Sequence, residues 1–290
     1  MKRSLIKDLT KPAEGARPVY FIAGLAGHVL HYRPLARQLD RQFWVRGILF
    51  PVFAGDDVSI SDVPDLAERM MEAFHEAPEP IVIVGYSIGG TVAYDMACRL
   101  AAQGRRVSVV MIDTSVRHLR MRMIAERTPL RRVEVATKRG VRRLLVTPTV
   151  GLKNFATLGR FKRKAWRPEL PEAQRFKDES WAASRSYVPP TSDVPIVMIR
   201  AVPPWQPDWT RTVYWPEADR GWGAVAPVIA VVPSPGTHIS IAEPKNFDAL
   251  AGALNHAIKT AAIAFQMVEG GFDCLVERPR QGTKIFRLGN

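Results

Sequence analysis

The sequence predicts an α/β fold: a mostly parallel central sheet covered by helices on both faces. Short β-rich apolar runs alternate with stretches of helical periodicity, tight hairpin turns are missing between the runs, and the runs are apolar throughout, not on every second residue. Such strands are buried on both faces.

Taken in order, PVYFIA at Pro18 to Ala23 is read as the first strand, FWVRGILF at Phe43 to Phe50 as the second and PIVIV at Pro80 to Val84 as the third. Helices are expected near 31–39 and 62–77 between them. Another should follow Ser87, because Val92, Ala93, Met96, Ala97 and Leu100 recur at helical spacing. VSVVMI at Val107 to Ile112 is a fourth strand. The alternation resumes with PIVMIR at Pro195 to Arg200, VIAVV at Val228 to Val232 and an apolar-periodic helix from about Asn246 to Met267. The interval 115–186 breaks the alternation and is read as an insertion within one domain spanning residues 1–290. Residues 271–290 are a polar extension of unknown role.

Composition limits the function classes. A chain of 290 residues with 47% hydrophobic and 24% charged residues is an ordinary globular protein, not a disordered or fibrous one. No stretch approaches the roughly 18 uninterrupted apolar residues of a membrane span. Charges at Lys2, Arg3 and Lys7 interrupt any signal-peptide core, so a cytoplasmic location is expected. Cys98 and Cys274 form no metal-binding spacing and are read as free thiols; no metal is expected. The 41 Lys and Arg against 28 Asp and Glu leave a net charge of +13. This excess is local: residues 117–177 hold 18 Lys or Arg and four Glu, a charge of +14. One basic element therefore sits on a balanced body, which argues against a nucleic-acid partner.

The chemistry centres on Gly85-Tyr86-Ser87-Ile88-Gly89-Gly90, which follows PIVIV directly and opens the next helix. A G-x-S-x-G sequence between a strand and a helix makes a sharp reversal that lifts the serine hydroxyl above the sheet edge. Small residues flank the serine because a Cβ there would strike neighbouring backbone. The plainer reading of Ser87 is a helix cap; the buried strand before it favours a nucleophile. A serine nucleophile needs a base, and the base needs an acid to fix its tautomer. Of six histidines, His238 in Pro235-Gly236-Thr237-His238 follows a strand and can return to Ser87. His31, His75, His118 and His256 are better explained as surface or packing residues. Asp113, abutting VSVVMI, is favoured as the acid over Asp208 in the loop after PIVMIR. Either preserves the order Ser, Asp, His used by α/β hydrolases. The N–H of Ile88 is one candidate oxyanion donor, and the glycine-bearing loop Ala23-Gly24-Leu25-Ala26-Gly27-His28 suits a second. That loop lacks the G-x-G-x-x-G spacing of a dinucleotide site, so no nicotinamide cofactor is expected. His28 and Tyr86 are candidate substrate-binding residues.

Together, VYFIAGLAGHVLHYRPLARQL, VGYSIGGTVAYDMACRLAAQGRRV with VVMIDTS, SWAASRSYVPP before PIVMIR, and the run from Gly221-Trp222 through PGTHISI resemble the thioesterase domains that end nonribosomal peptide and polyketide assembly lines. The likeness covers about residues 17–260. It implies an α/β-hydrolase fold with a helical lid at 115–186 over an acyl pocket. It further implies Ser87 as nucleophile, His238 as base, Asp113 as acid, and backbone N–H groups of Leu25 and Ile88 as the oxyanion hole. Substrates would arrive as thioesters on the phosphopantetheine arm of an acyl or peptidyl carrier protein, with no cofactor of the enzyme's own. Family members of this subtype usually follow a carrier domain; few residues precede the first strand here, and a freestanding enzyme is expected.

Within the insertion, Thr128-Pro129 reads as a helix start. Leu130, Val133, Val141, Leu144 and Leu145 then fall near one face, with Arg131, Arg132, Lys138, Arg139, Arg142 and Arg143 largely elsewhere. A basic amphipathic helix of this kind suits an acidic carrier protein. It equally permits adsorption to an anionic membrane surface. The rivals to a thioesterase are an esterase or lipase acting on oxygen esters, and a non-catalytic lipid- or carrier-binding protein with a hydrolase fold.

Overall fold

The computed structural model describes residues 4–25, 28–55, 59–116, 171–202 and 218–269. Among these residues seven strands form one sheet: β1 (Ile6–Asp8), β2 (Arg17–Ile22), β3 (Phe43–Ile48), β4 (Ile81–Tyr86), β5 (Val107–Ile112), β6 (Ile196–Val202) and β7 (Val228–Pro235), in the spatial order β1-β3-β2-β4-β5-β6-β7. All neighbouring pairs are parallel except β1 with β3. The helices are α1 (Arg33–Ala36), α2 (Pro51–Ala54), α3 (Val63–Met70), α4 (Ile88–Ala102), α5 (Pro171–Ser186) and α6 (Phe247–Glu269).

The continuous apolar strands acquire a physical reason here. Ile81 and Ile83 of β4, with Val107, Val109 and Met111 of β5, face a core built with α3, α4 and α5. Val82, Val84, Val110 and Ile112 face the opposite core, built with α1 and α6. Successive side chains point to opposite sides of a sheet, and with helices on both sides each must be apolar. The chain order places a switch point at β2: β3 lies on one side of it and β4 on the other. The loops leaving β2 and β4 therefore diverge and open a crevice at the carboxyl edge, the place where open α/β sheets bind ligands.

Several sequence expectations shift in detail. β1 was not anticipated: three residues are too few to display a period, and the strand is held at the edge by pairing of Ile6, Lys7 and Asp8 with Ile48, Gly47 and Arg46. The helix expected at 31–39 is instead a 3₁₀ turn over Val29–Tyr32 followed by the single turn of α1. That expected at 62–77 is α3, begun where Asp62 accepts a hydrogen bond from the Asp65 N–H at 2.8 Å, then a 3₁₀ turn over Met71–Phe74. The second strand stops at Ile48, short of the expected Phe50, which instead caps α2 with Pro51 in its first turn.

Of the insertion predicted at 115–186, the described C-terminal part is α5; the basic amphipathic helix expected from Thr128 lies outside the described residues, as do residues 271–290, Asp208, His118 and Cys274. α5 is fastened to the body. Phe176 packs on Phe50 and Phe53, with ring centroids 5.0 and 5.5 Å away. The Glu179 carboxylate accepts the Ile60 N–H at 2.9 Å. Just beyond the helix, the Tyr187 hydroxyl donates to Asp95 of α4 at 2.9 Å, and the second Asp95 oxygen receives the Arg99 Nε–H at 2.9 Å. No helix of the described residues is long and apolar enough to cross a membrane.

Because the Asp95 carboxylate is nearly buried and shared between these two donors, Tyr187→Phe leaves one of its oxygens without a partner. A loss of about 1.5–3 kcal/mol in urea unfolding is expected; an unchanged midpoint would mean the contact adds nothing to the attachment of α5.

Candidate active site

Ser87 occupies the turn between β4 and α4 with φ 55° and ψ −120°, a left-handed conformation that side-chain-bearing residues rarely adopt. The turn is tight enough to dictate its neighbours. A Cβ on Gly85 would lie 2.4 Å from the Gly89 carbonyl oxygen, and one on Gly89 would lie 2.4 Å from that of Ala23. The Ser87 N–H donates to the Ile112 carbonyl at 3.2 Å, and the Thr114 hydroxyl donates to the Ser87 carbonyl at 3.0 Å, so the end of β5 clamps the turn.

His238 arrives from the loop after β7. Gly236, at φ 126°, turns the chain and donates its N–H to the Val202 carbonyl at 3.1 Å. Thr237 and Ser240 exchange hydrogen bonds, the Thr237 N–H reaching Ser240 Oγ at 2.8 Å. The Tyr86 hydroxyl donates to the carbonyl of His238 itself, and the two rings stack obliquely at 5.5 Å. Burial, with the charges of Asp113 and Glu243, pushes the Tyr86 phenol up to about 12, so it remains a donor. Held in this way, His238 Nε2 lies 3.0 Å from Ser87 Oγ and Nδ1 lies 2.9 Å from Asp113 Oδ2.

Asp113 follows β5 directly, also in a left-handed conformation at φ 49°, with its N–H donated to the Ile199 carbonyl at 2.7 Å. It is 1% exposed. Its second oxygen, Oδ1, accepts the Ala201 N–H at 2.9 Å and a guanidinium N–H of Arg220. Burial alone would raise the carboxyl, but the hydrogen bond from His238, the charge of Arg220 and the Ala201 N–H outweigh it and hold the group below its usual range. An ionised carboxylate accepts the Nδ1–H, which leaves the Nε2 lone pair facing the serine hydroxyl.

Gly24 packs against the Tyr86 ring so closely that a Cβ would fall 2.7 Å from Cδ1 and 3.4 Å from Ser87 Cβ, so the segment leading to Leu25 passes close to the serine; Ile88 follows Ser87 as the first residue of α4. His28 caps the 3₁₀ turn, its Nδ1 accepting the Leu30 N–H at 3.3 Å, and its ring lies 5.3 Å from that of Phe53. Burial, then the neighbouring His31 and Lys7, lowers its pKa. His31, His75 and His256 are exposed. Sequence reasoning missed Arg220, Thr114 and the Ala201 N–H. Thr114 adjoins Asp113 in VVMIDTS, a usable signal, whereas Arg220 is one arginine in a loop and matches no motif.

Comparison with known proteins fixes the family. The sequence model of the thioesterase domain matches residues 17–258. This chain belongs to the thioesterase domain family. Polyketide synthase PksR of Bacillus subtilis (strain 168) is 35% identical over 104 residues, covering 35% of this chain and 4% of the synthase. Enterobactin synthase component F of Escherichia coli (strain K12) is 31% identical over 105 residues, 35% of this chain and 8% of the relative. The thioesterase domain thus matches less than a tenth of the length of these relatives. Among solved structures, the NocB thioesterase domain from the nocardicin cluster superposes with a TM-score of 0.59 at 23% identity, covering 88% of this chain and 99% of that one. The type II thioesterase BorB from the borrelidin biosynthetic cluster gives 0.58 at 17% identity, covering 88% and 96%. At these identities the superpositions establish a common fold, the α/β-hydrolase architecture of the seven-stranded sheet.

The lowered Asp113 carboxyl sets a pH dependence. Its charge stabilises the fold fully above the unfolded value, near pH 4, and that contribution fades as pH falls through the lower folded value. The stability difference between the native chain and Asp113→Asn, measured in urea from pH 7 to pH 2, should therefore narrow on acidification. A gap independent of pH contradicts an ionised Asp113.

Proposed function

We propose that this domain releases acyl, peptidyl or polyketide chains from the phosphopantetheine thioester of a carrier protein in the cytoplasm, through an acyl-Ser87 intermediate. The observation that carries the proposal is the unbroken hydrogen-bond series Ser87–His238–Asp113 at the switch point of a thioesterase-family sheet. The synthase relatives and the type II thioesterase among the structural neighbours support the thioester substrate class.

In this reading His238 Nε2 takes the Ser87 proton as Oγ attacks the thioester carbonyl, and Asp113 stabilises the imidazolium that forms. The carbonyl π electrons become an oxyanion that the Leu25 and Ile88 N–H groups receive, each donor contributing on the order of 3 kcal/mol to the transition state. Collapse expels the pantetheine thiolate, which leaves as the thiol with the imidazolium proton. The acyl-serine is then attacked by water or by a hydroxyl or amine of the chain itself, with His238 again as base, and Ser87 is regenerated. Acyl transfer of this kind needs a nucleophile, a base and an anion site, all of which the polypeptide can supply; no metal or redox cofactor enters. His28 and Tyr86 belong to the substrate side of the site. In this reading the insertion serves as a lid, and the local excess of Lys and Arg over residues 117–177 steers an acidic carrier protein toward the site.

Ser87→Ala should lower turnover of an acyl-pantetheine thioester by at least about 10³-fold and abolish fluorophosphonate labelling. A native protein that takes no label overturns the enzymatic reading, and a strong preference for a matched oxygen ester replaces the thioesterase with an esterase. Asp113→Ala should lower kcat by about 10²- to 10⁴-fold, with Asp208→Ala close to native; the reverse ranking moves the acid to Asp208.

A further inference from the structure

The Ser87–His238–Asp113 series accounts for one oxygen of Asp113 and leaves a charged side chain unexplained on the other. Arg220 is 7% exposed, and its guanidinium donates to Oδ1, which already accepts the Ala201 N–H. Its placement is built from both sides. Arg220 sits in a left-handed conformation, φ 58°, which a residue of this size adopts only when its surroundings hold it there. Asp219 Oδ1 and Oδ2 accept the N–H groups of Gly221 and Gly223 at 2.9 and 3.0 Å, fixing the turn around it. The Arg220 carbonyl accepts the Val116 N–H at 3.1 Å, and Trp222 Nε1 donates to the Thr114 carbonyl at 3.1 Å, so this turn is bound to the segment that carries Asp113.

We propose that Arg220 is a positioning residue for the reaction: it fixes the orientation of the Asp113 carboxylate, so that the Nδ1–H of His238 stays aligned and Nε2 faces Ser87. The inference rests on the acyl-serine reading above. If Asp113 needed only a neutral hydrogen bond on its second oxygen, the Ala201 N–H would provide it. A guanidinium adds a full positive charge and a planar donor array, which suits a carboxylate whose two oxygens have different tasks. The charge acts on the carboxylate: with the guanidinium on its far oxygen, Asp113 stays ionised despite its burial, and with Oδ1 held by Arg220 and the Ala201 N–H it presents Oδ2 to His238 Nδ1.

The test compares Arg220→Gln, which keeps a hydrogen-bond donor without charge, with Arg220→Lys, which keeps the charge. With an acyl-pantetheine thioester as substrate, kcat of Arg220→Gln should fall by about 10- to 100-fold with KM little changed, and Arg220→Lys should recover much of it. The proposal is overturned if kcat of Arg220→Gln matches the native value, if the loss appears in KM instead, if Arg220→Lys falls as far as Arg220→Gln, or if Arg220→Gln fails to fold, since a structural role then suffices. Absence of thioester turnover in the native protein would defeat the acyl-serine reading instead; the rate at which a fluorophosphonate labels Ser87, slower in Arg220→Gln and restored in Arg220→Lys, would still decide whether Arg220 acts on the series.

Discussion

A carboxylate removed from water at the end of a parallel strand must either be given partners or lose its charge. Asp113 is the group around which this constraint acts. Its three hydrogen bonds come from three segments distant in sequence: the β7 loop through His238, β6 through Ala201, and the turn before the Trp222 3₁₀ helix through Arg220. Satisfying one anion therefore requires β5, β6 and β7 to end in register, and it ties the loops that follow them to a common point. The cost of leaving such a charge unpaired, several kcal/mol, gives the loops a reason to converge that does not depend on substrate.

The sheet supplies the other half of the placement. Parallel pairing brings Ile22 opposite Gly85, Tyr86 opposite Ile112, and Ile112 opposite Ile199. Residues one or two positions past these pairs, namely Gly24, Ser87, Asp113 and Ala201, thus emerge side by side along one edge. The two non-glycine residues among them with positive φ, Ser87 and Asp113, are those that must turn back over the sheet. Backbone strain is concentrated where polar side chains are brought together, and ladder hydrogen bonds and helix packing on both faces offset it.

How far the sequence carried this picture varies with the physical origin of each feature. The six parallel strands were legible because burial on both faces leaves an unambiguous apolar run, as in PIVIV and VSVVMI. Ser87 was legible because the turn that presents it demands small residues at fixed spacing, and the space around Gly85 and Gly89 shows why. His238 and Asp113 were expected at the site from their position at strand ends, and the fold brings them into one hydrogen-bonded series with Ser87. Strand β1 was not legible, since a three-residue edge strand is specified by its partner and not by its own pattern. Arg220 was hidden for a related reason: its partner is more than a hundred residues away, and nothing local separates an arginine that finds a buried anion from one that meets solvent. Tyr86 was expected on the substrate side, and its bond to the His238 carbonyl is likewise a long-range fact.

The exposure of the paired residues differs sharply: the His238 side chain is 38% open to solvent and that of Asp113 only 1%. Protons can therefore enter or leave the series at its imidazole edge, while the carboxylate end is sealed. In an acyl-serine reaction this asymmetry makes the outer rim of one ring the place where bulk water meets the chemistry. A tethered chain that folds over that rim would keep the second step dry and favour closure onto itself; a chain that leaves it bare would be cut by water. Product identity would then be written partly in how an acyl chain drapes across a single imidazole, with no change in the groups that move the protons.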